Sequence, residues 1–289
     1  FIVCNCGGLL LPIGDPPLFL GYLNGVDFFW TLSLWPSWLF VNGMLLGVYF
    51  LWDHFYSYPK ETVRDIATDE TRVHALRFSG IKLNLPLLFG VILAVALLDP
   101  GKTLPGTDWH PWPFMREIVM LFLVLVSLLG GSQQVRNANS FDYVPIVEVA
   151  VLFIGIFLTM GPALEIVKAR GAELGLNSPQ KFFWVSGSLS AVLDNAPTYL
   201  VFFKVAQVET AQNWADAPQM AGVAVSLLIG ISLGSVCMGA MTYIGNGPNF
   251  MVKSIAEKSG VQMPSFLGYI VYSVCILLPI LAANAWLFI

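Results

Sequence analysis

The sequence predicts an all-α polytopic membrane protein, an inverted repeat with one re-entrant hairpin and two discontinuous helices. Three observations lead to this fold class: an apolar composition, a broken-helix motif that occurs twice, and a polar turn inside an apolar segment. Of the 289 residues, 56% are hydrophobic and only 11% are charged. A mean hydropathy of +0.73 is typical of chains that lie in a bilayer.

Composition also excludes several function classes. The formal net charge is -4 and no basic patch is present, so a nucleic-acid partner is not expected. Nine Trp and nine Tyr fit the aromatic belts at the two membrane interfaces. The cysteines lie in apolar segments and indicate small buried side chains, not a disulfide framework or a metal site. They are Cys4, Cys6, Cys237 and Cys275.

The first element is a broken helix whose motif is repeated. Ile13-Gly14-Asp15-Pro16-Pro17 returns 231 positions later as Ile244-Gly245-Asn246-Gly247-Pro248. Two ordinary Gly/Pro kinks are the alternative, but Cys6 and Gly8 recur at the same offset, as Cys237 and Gly239. Unpaired backbone at membrane depth is tolerated where it lines a cavity. Paired interruptions of this kind point to a transporter site between two repeats.

The chain begins inside the first repeat on this interpretation. Residues 1–14 are expected to end one half-helix and form its break. Asp15 can then cap the next half-helix, with Pro16 at its first position. By the repeat offset, the counterpart of 145–236 would precede the first break, so on the order of 90 residues or more are expected to be missing.

The remaining elements are apolar spans separated by loops. We expect an aromatic-rich span at 28–52 that starts near Trp35-Pro36, and a polar surface stretch at 57–80. Further spans are expected at 83–98, 117–131, 144–164 and 265–288, with the second broken helix at 219–258. The predicted domains are the end of a transport domain at 1–27, scaffold spans and loops at 28–131, and a second repeat at 132–289.

The segment 180–207 carries the polar turn. Its centre is Leu193-Asp194-Asn195-Ala196-Pro197-Thr198-Tyr199, which places a carboxylate, an amide and a proline within apolar sequence. Arms of roughly 10–14 residues suit a re-entrant hairpin better than full spans. One kinked helix with a polar face is the alternative. With the hairpin, the loops at 57–80, 132–143 and 253–263 share the side with the small Lys/Arg excess, which predicts the cytoplasm.

Three elements would then converge on one site: the first break, the hairpin tip and the second break. Asp194 is the carboxylate of the second-half site, and an ionisable group at that depth must be paired, hydrated or protonated. Asp15 is interpreted as a helix cap, an ion ligand or both. Glu148 either carries protons or reaches for the membrane interface. The predicted ion- or substrate-binding residues are Asn5, Gly8, Gly14, Asp15, Asp194, Asn195, Thr198, Thr242, Gly245, Asn246 and Asn249. Sodium is hypothesised at Asp194, Asn195, Thr198 and Asn246.

These motifs resemble the ion transporter superfamily over essentially the whole chain. The resemblance rests on Gly-Gly…Ile-Gly-Asp-Pro-Pro after Asn5, and on Leu-Asp-Asn-Ala-Pro-Thr before Ile-Gly-Asn-Gly-Pro-Asn. The nearest branches are the NhaD-type sodium/proton antiporters and the CitMHS-like citrate transporters. The resemblance implies a homodimer with a fixed scaffold and an elevator-like moving domain. It also implies that ions and substrate bind at the hairpin tips and helix breaks, although this chain lacks the first hairpin.

The expected function is therefore secondary active sodium/proton antiport, in a multi-pass protein of the inner (plasma) membrane. Asp194, with Asp15, would bind sodium and protons in competition, and Asp194→Asn is expected to abolish exchange. The alternative is sodium-coupled symport of citrate or another di- or tricarboxylate. An intramembrane aspartyl protease is a third class, but Asp15 and Asp194 lie on different elements, so no enzyme is expected. The lipid bilayer and small ions are the expected partners, with no cofactor beyond the coupling ions.

Overall fold

The computed structural model describes residues 1–60, 80–101, 103–104, 106–138, 143, 170–258 and 260–289, with individual residues between 146 and 166. By their contacts these residues fall into two units. One comprises Phe1–Pro59 with Phe153–Ile289, and the other Lys60–Leu152. Most of the polar stretch predicted at 57–80, and Glu148, lie outside the described residues.

The described elements are almost all helices, with one short pair of strands. In chain order they are α1 (Pro16–Leu23), α2 (Trp35–Trp52), α3 (Ile81–Leu97), α4 (Met115–Gly130), α5 (Gln133–Ala138), α6 (Pro179–Val192), α7 (Asn195–Asn213), β1 (Gln219–Met220), β2 (Val223–Ala224), α8 (Val225–Gly239), α9 (Gly247–Lys258), α10 (Phe266–Tyr272) and α11 (Leu278–Phe288).

Helices α6 and α7 form a helical hairpin that packs against α8. On α8, Gly230 lies against Pro179 and Gly234 lies against Phe183, so α6 and α8 run parallel. The contacts of α7 run in the opposite order, because Asn195 lies beside Gly239 and Thr210 bonds to the Ala224 amide. The two arms are therefore antiparallel and meet at Leu193 and Asp194. That both arms enter the bilayer from one side stays a prediction.

Small residues bring α6 and α8 into unusually close contact. A methyl group at Gly234 would collide with the carbonyl oxygen of Phe183, and one at Gly230 with that of Pro179. The Ser190 hydroxyl donates to the Ser235 carbonyl at 2.7 Å. Such packing is how helices associate where apolar burial gives little driving force. Every residue from Gly230 to Gly239 is buried, so α8 is the centre of the first unit.

The second broken helix begins later than predicted. Residues 219–224 form a two-stranded antiparallel hairpin in place of the first helical turns, pairing Gln219 with Ala224. Ala221 and Gly222 both have positive φ, 53° and 75°, which a two-residue hairpin turn requires and an α-helix does not allow. The helix therefore starts at Val225, and the prediction of a helix from residue 219 is wrong.

The first break is also built differently from the predicted end of a half-helix. Two short 3₁₀ helices, Cys6–Leu10 and Pro12–Gly14, replace α-helical turns before Asp15. The Gly7 amide bonds to the Ile2 carbonyl at 2.8 Å, a wider loop than an α-helical bond encloses. Pro12 has no amide hydrogen to continue a helix from Leu11, so the chain turns there.

Two helical stretches of the first unit are long and apolar enough to cross a membrane. They are Trp30–Lys60, which contains α2, and Phe266–Phe288, which contains α10 and α11 joined by a π-helical turn. The predicted span starts at Trp35 and near 265 are confirmed. Helices α2 and α11 pack on each other.

The second unit contains an antiparallel pair of apolar helices. Gly130 of α4 lies against Leu83 of α3, and Gly90 of α3 lies against Leu123 of α4, so the helices run in opposite directions. Their bounds fall within about two residues of the predicted spans at 83–98 and 117–131, the usual uncertainty of helix ends.

We predict that Gly234→Ala destabilises the protein. The added methyl group would meet the backbone of α6, which cannot move aside as a flexible side chain can, and overpacking of this kind costs about 1–3 kcal/mol. Thermal unfolding in detergent, followed by tryptophan fluorescence, measures the change. Gly43→Ala in α2 is the matched control, because nothing lies within 4 Å of the added group. An equal or higher melting temperature for Gly234→Ala would contradict the packing argument.

Candidate functional site

Each of the two breaks is closed by a contact between two glycines, and the two pairs occupy equivalent positions of the repeated motif. In the first break, a methyl group on Gly14 would collide with the carbonyl oxygen of Gly8, and one on Gly8 with that of Gly14. In the second break, Gly245 lies in the same way against the carbonyl oxygen of Gly239. These four residues are the ones that recur at the 231-residue offset. The chain can fold back on itself at both sites because these positions have no Cβ.

Side chains from neighbouring elements bond to the backbone that the first break leaves unpaired. Three polar groups from α2 and the turn before it face the break and donate to its carbonyl oxygens. Asn42 Nδ2 donates to the Cys6 carbonyl at 3.3 Å, Trp38 Nε1 to Gly7 at 3.1 Å, and Thr31 Oγ1 to Leu10 at 2.8 Å. In an apolar environment each unpaired carbonyl would otherwise be costly.

The second break is satisfied in the same manner. Asn249 Nδ2 donates to the carbonyls of Gly239 and Thr242, each at 2.9 Å. The Tyr269 hydroxyl donates to the Ala240 carbonyl at 2.9 Å. The Thr242 hydroxyl donates to Ala191 at the end of α6 at 2.6 Å and accepts from the Gly245 amide at 3.0 Å. Thr242 thereby ties the second break to the hairpin.

Asp15 lies where the two breaks and the hairpin tip meet. Its carboxylate is 2% exposed and accepts hydrogen bonds from two amide side chains. Asn195 Nδ2 lies 3.3 Å from both carboxylate oxygens, and Asn246 Nδ2 lies 3.2 Å from Oδ1. Asn246 also donates to the Cys4 carbonyl at 3.1 Å. One carboxylate therefore joins three segments that are distant in sequence, and Asp15 contacts its own repeat counterpart.

The predicted capping of α1 by the Asp15 side chain is wrong. Asp15 does occupy the residue before α1, but its carboxylate makes no capping hydrogen bond. The first two residues of α1 are Pro16 and Pro17, which have no amide hydrogen to offer. The carboxylate turns instead to the Asn195 and Asn246 amides.

Asp194 and Thr198 make local bonds at the start of α7. The Asp194 carboxylate accepts from the Ala196 amide at 3.0 Å, which is the bond of a helix cap. Thr198 Oγ1 donates to the Asp194 carbonyl at 2.9 Å. Asp194 is only half-buried, whereas the next residue, Asn195, is fully buried. The Asn195 backbone amide bonds to the Gly245 carbonyl at 3.1 Å, so the hairpin tip is fixed to the second break.

The remaining polar groups of the site are side-chain amide atoms: the Oδ1 atoms of Asn5 and Asn195, and the Asn5 nitrogen, have no partner among the described residues. Asn5 and Asn195 are both completely buried, and their side-chain nitrogens each lie 3.2 Å from the place that a methyl group on Gly239 would take. A carboxylate and neutral carbonyl-type oxygens are the ligands that hard cations prefer.

The structure thus brings most of the predicted residues into one cluster with distinct tasks. Asp15, Asn195 and Asn246 form its polar centre, with Asn5 close by. Gly8, Gly14 and Gly245 close the breaks, Thr242 and Asn249 satisfy their backbone, and Asp194 and Thr198 begin α7. The hypothesised sodium set of Asp194, Asn195, Thr198 and Asn246 omits Asp15, the carboxylate that Asn195 and Asn246 contact. That ligand set stays a prediction.

The sequence analysis missed the side chains that support the breaks from outside. Thr31, Trp38, Asn42 and Tyr269 all donate to freed carbonyls. A signal was available for Asn42, because an amide in the middle of an apolar span must find a buried partner. For the tryptophan and tyrosine, a place in the membrane-interface belts explained the residue type equally well.

The polar centre contains one ionisable side chain, the Asp15 carboxylate. Among the described residues no ion pair involves Asp15, so its charge is met only by amide dipoles. A buried carboxylate without a counter-charge is expensive and favours a bound cation or a proton. The nearest basic side chain of the second break, Lys253, pairs with Glu257 at 2.6 Å.

Comparison with known proteins supports a transport function. The family described as "Putative citrate transport" matches residues 1–289, the whole chain. The chain is also 23% identical over 205 residues to "Uncharacterized transporter sll0640" of Synechocystis sp.. That alignment covers 68% of this chain and 32% of the relative, so the chain spans about a third of that protein's length.

No solved structure matches the chain significantly. The family match and the apolar helices indicate a membrane protein of a family described by transport. The resemblance to CitMHS-like transporters is therefore confirmed, and the chain belongs to the CitMHS-like citrate transport family.

Proposed function

We propose that this protein is a secondary active transporter that exchanges sodium for protons at a site centred on Asp15. The observation that carries the proposal is the buried Asp15 carboxylate, held by the amides of Asn195 and Asn246 with no basic partner in the described residues. A proton or a sodium ion can neutralise that charge, but not both at once. Competition for one carboxylate couples the two ions without any further device.

The placement of the centre suits alternating access. Asp15, the hairpin tip and the second break are three separate segments, and a shift of any one changes the contacts of the carboxylate. When sodium is bound, the Asn195 and Asn5 oxygens would complete its shell. When Asp15 is protonated, its neutral carboxyl group can keep its bonds to the amides. The elevator-like movement belongs to this proposal and is supported by the family resemblance.

Asp194 adds a second acidic group beside the centre. It precedes Asn195 directly, and its carboxylate caps α7. We propose that it holds the hairpin tip and raises the local negative potential that attracts a cation. The rest of the proposal is a multi-pass protein of the inner (plasma) membrane that works as a homodimer, uses no cofactor beyond its coupling ions and catalyses no reaction.

Sodium-coupled symport of citrate or another di- or tricarboxylate is the second candidate. The family description favours it. The cation centre would serve it equally well, because symport also needs a bound sodium ion. An anion would need additional donors, and the described centre offers amide groups but no basic side chain.

Transport by the full-length protein in proteoliposomes separates the two candidates. An internal pH dye that responds to a sodium gradient without any organic anion is expected for antiport. Accumulation of labelled citrate only when sodium is supplied, with no sodium-driven pH change, would refute antiport and establish symport.

Asp15→Asn is expected to abolish the sodium response. A lost interaction with a charged group is worth roughly 1.5–3 kcal/mol, so the signal should fall by about tenfold or more. Asp216→Asn is the matched control, since Asp216 is an exposed loop carboxylate. Full sodium-dependent activity in Asp15→Asn would remove Asp15 from the site.

A charge swap tests the centre more sharply. Asp15→Asn with Asn246→Asp in one chain keeps a single carboxylate and its amide partner in contact, because the two side chains are 3.2 Å apart. We expect the double variant to recover part of the sodium-induced thermal stabilisation that Asp15→Asn loses. Asn246→Asp alone places two carboxylates side by side, and the two cannot both ionise freely. We therefore expect its sodium-induced thermal stabilisation to differ from that of the wild type. No recovery in a folded double variant would show that the contact itself is not the site.

Asp194→Asn distinguishes capping from charge. Asparagine caps helices about as well as aspartate, so the variant should melt within a few degrees of the wild type. Loss of sodium-dependent exchange in this folded variant would assign a transport role to the Asp194 charge. Unchanged exchange would contradict the prediction that Asp194 binds the ion. Asp194 would then have only the role of a helix cap.

A further inference from the structure

The second unit contains a basic cavity at one end of its helix pair. The cavity lies where α3 begins and α4 ends, and has a volume of about 360 Å³. Two cationic side chains, Lys82 and Arg136, line it together with Asn84 and Ser132. The described lining contains no acidic side chain. Nothing in the transport centre involves these residues, because they belong to the other unit.

Arg136 is held in place at the cavity by α4. Its guanidinium donates to the Ser127 carbonyl and, at 3.4 Å, to the Leu128 carbonyl. It also lies against Gly131, where any side chain would displace it. A guanidinium has five N–H donors, so the same group can hold two carbonyls and a phosphate oxygen together. The positive charge is therefore fixed in position before any ligand arrives.

Lys82 supplies the second charge from the first turn of α3. It is exposed, as is Asn84, so both can turn toward a ligand in the cavity. Gly80 precedes the helix with a φ of 77°, a conformation that brings the chain sharply round the rim. The cavity thus has one cation held by hydrogen bonds, Arg136 on α5, and one exposed cation, Lys82 on α3.

Exposed apolar side chains are adjacent in sequence to the cavity residues on both helices. Leu85 on α3 is 43% exposed, and Leu129 on α4 is 79% exposed. In a membrane protein such faces lie against acyl chains. A ligand that matches the whole feature is anionic at one end and apolar along its length. Basic pockets between membrane helices recognise lipid headgroups in this way.

We propose that this cavity, lined by Lys82 and Arg136, binds the phosphate of an anionic phospholipid whose acyl chains lie along α3 and α4. The headgroup phosphate sits between the two cations, with Ser132 and Asn84 as neutral donors. The site is independent of the ion carried, because it lies outside the transport centre.

Native mass spectrometry of the full-length protein tests the proposal. Phosphatidylglycerol and phosphatidylcholine with the same acyl chains are added in turn. The wild type should retain phosphatidylglycerol in preference, and Lys82→Ala should reduce that retention by about fivefold. Lys82→Arg should restore it. Lys181→Ala, which removes an exposed lysine at the start of α6, should leave it unchanged.

Two results would overturn the assignment. One is equal retention of phosphatidylglycerol by folded Lys82→Ala and Lys181→Ala proteins. The other is stabilisation by inorganic phosphate equal to that by phosphatidylglycerol, which would assign the cavity to a free anion. Melting curves of each variant in detergent establish that the proteins compared are folded. Arg136 is left intact in these variants because it also bonds to the end of α4.

Discussion

The whole first unit depends on one constraint: backbone that leaves helical bonding inside an apolar protein must find other partners. Both breaks expose carbonyl groups that no helix satisfies, and side chains from α2, α9 and α10 supply the missing donors. The breaks, and not the solute, therefore determine where these donor side chains are needed. The donors are Trp38, Asn42, Asn249 and Tyr269. Close glycine contacts let each break fold back on itself, and a larger residue there would push these donors out of reach. The polar centre exists because these contacts hold two interrupted segments of the chain side by side.

In the proposed function, a single carboxylate within that scaffold gives the centre its preference for cations. Asp15 is met by amide nitrogens, which stabilise it without neutralising it. The side-chain amides of Asn5 and Asn195 both lie beside Gly239 of α8, and the oxygen of each has no hydrogen-bond partner among the described residues. Small residues bring α6 and α8 together, and the two helices share backbone contacts over more than one turn.

The sequence could predict much of this and not all of it. The repeated Ile-Gly motif located both breaks, and the polar turn at Asp194 located the hairpin tip, because Gly, Pro and buried polar residues have few other uses in apolar segments. The sequence could not show which of Asp15 and Asp194 caps a helix and which faces the side-chain amides, since each precedes a helix and either could cap it. Only the geometry showed that Asp194 caps α7 while Asp15, followed by two prolines, faces the amides. The β-hairpin at 219–224 depended on a positive φ at Ala221, for which alanine gives no signal.

The contact between Asp15 and Asn246 also bears on how the two copies of the repeated motif differ. If the halves arose by duplication of one gene, an unchanged copy would have placed two carboxylates, or two amides, face to face. Two carboxylates at about 3 Å repel each other, and two amides offer no charge to a cation. A single substitution at one of the paired positions resolves the conflict and gives one charged and one neutral partner. Substitutions at these two positions would therefore depend on each other. In homologous chains, an acidic residue at one position should be accompanied by a neutral residue at the other.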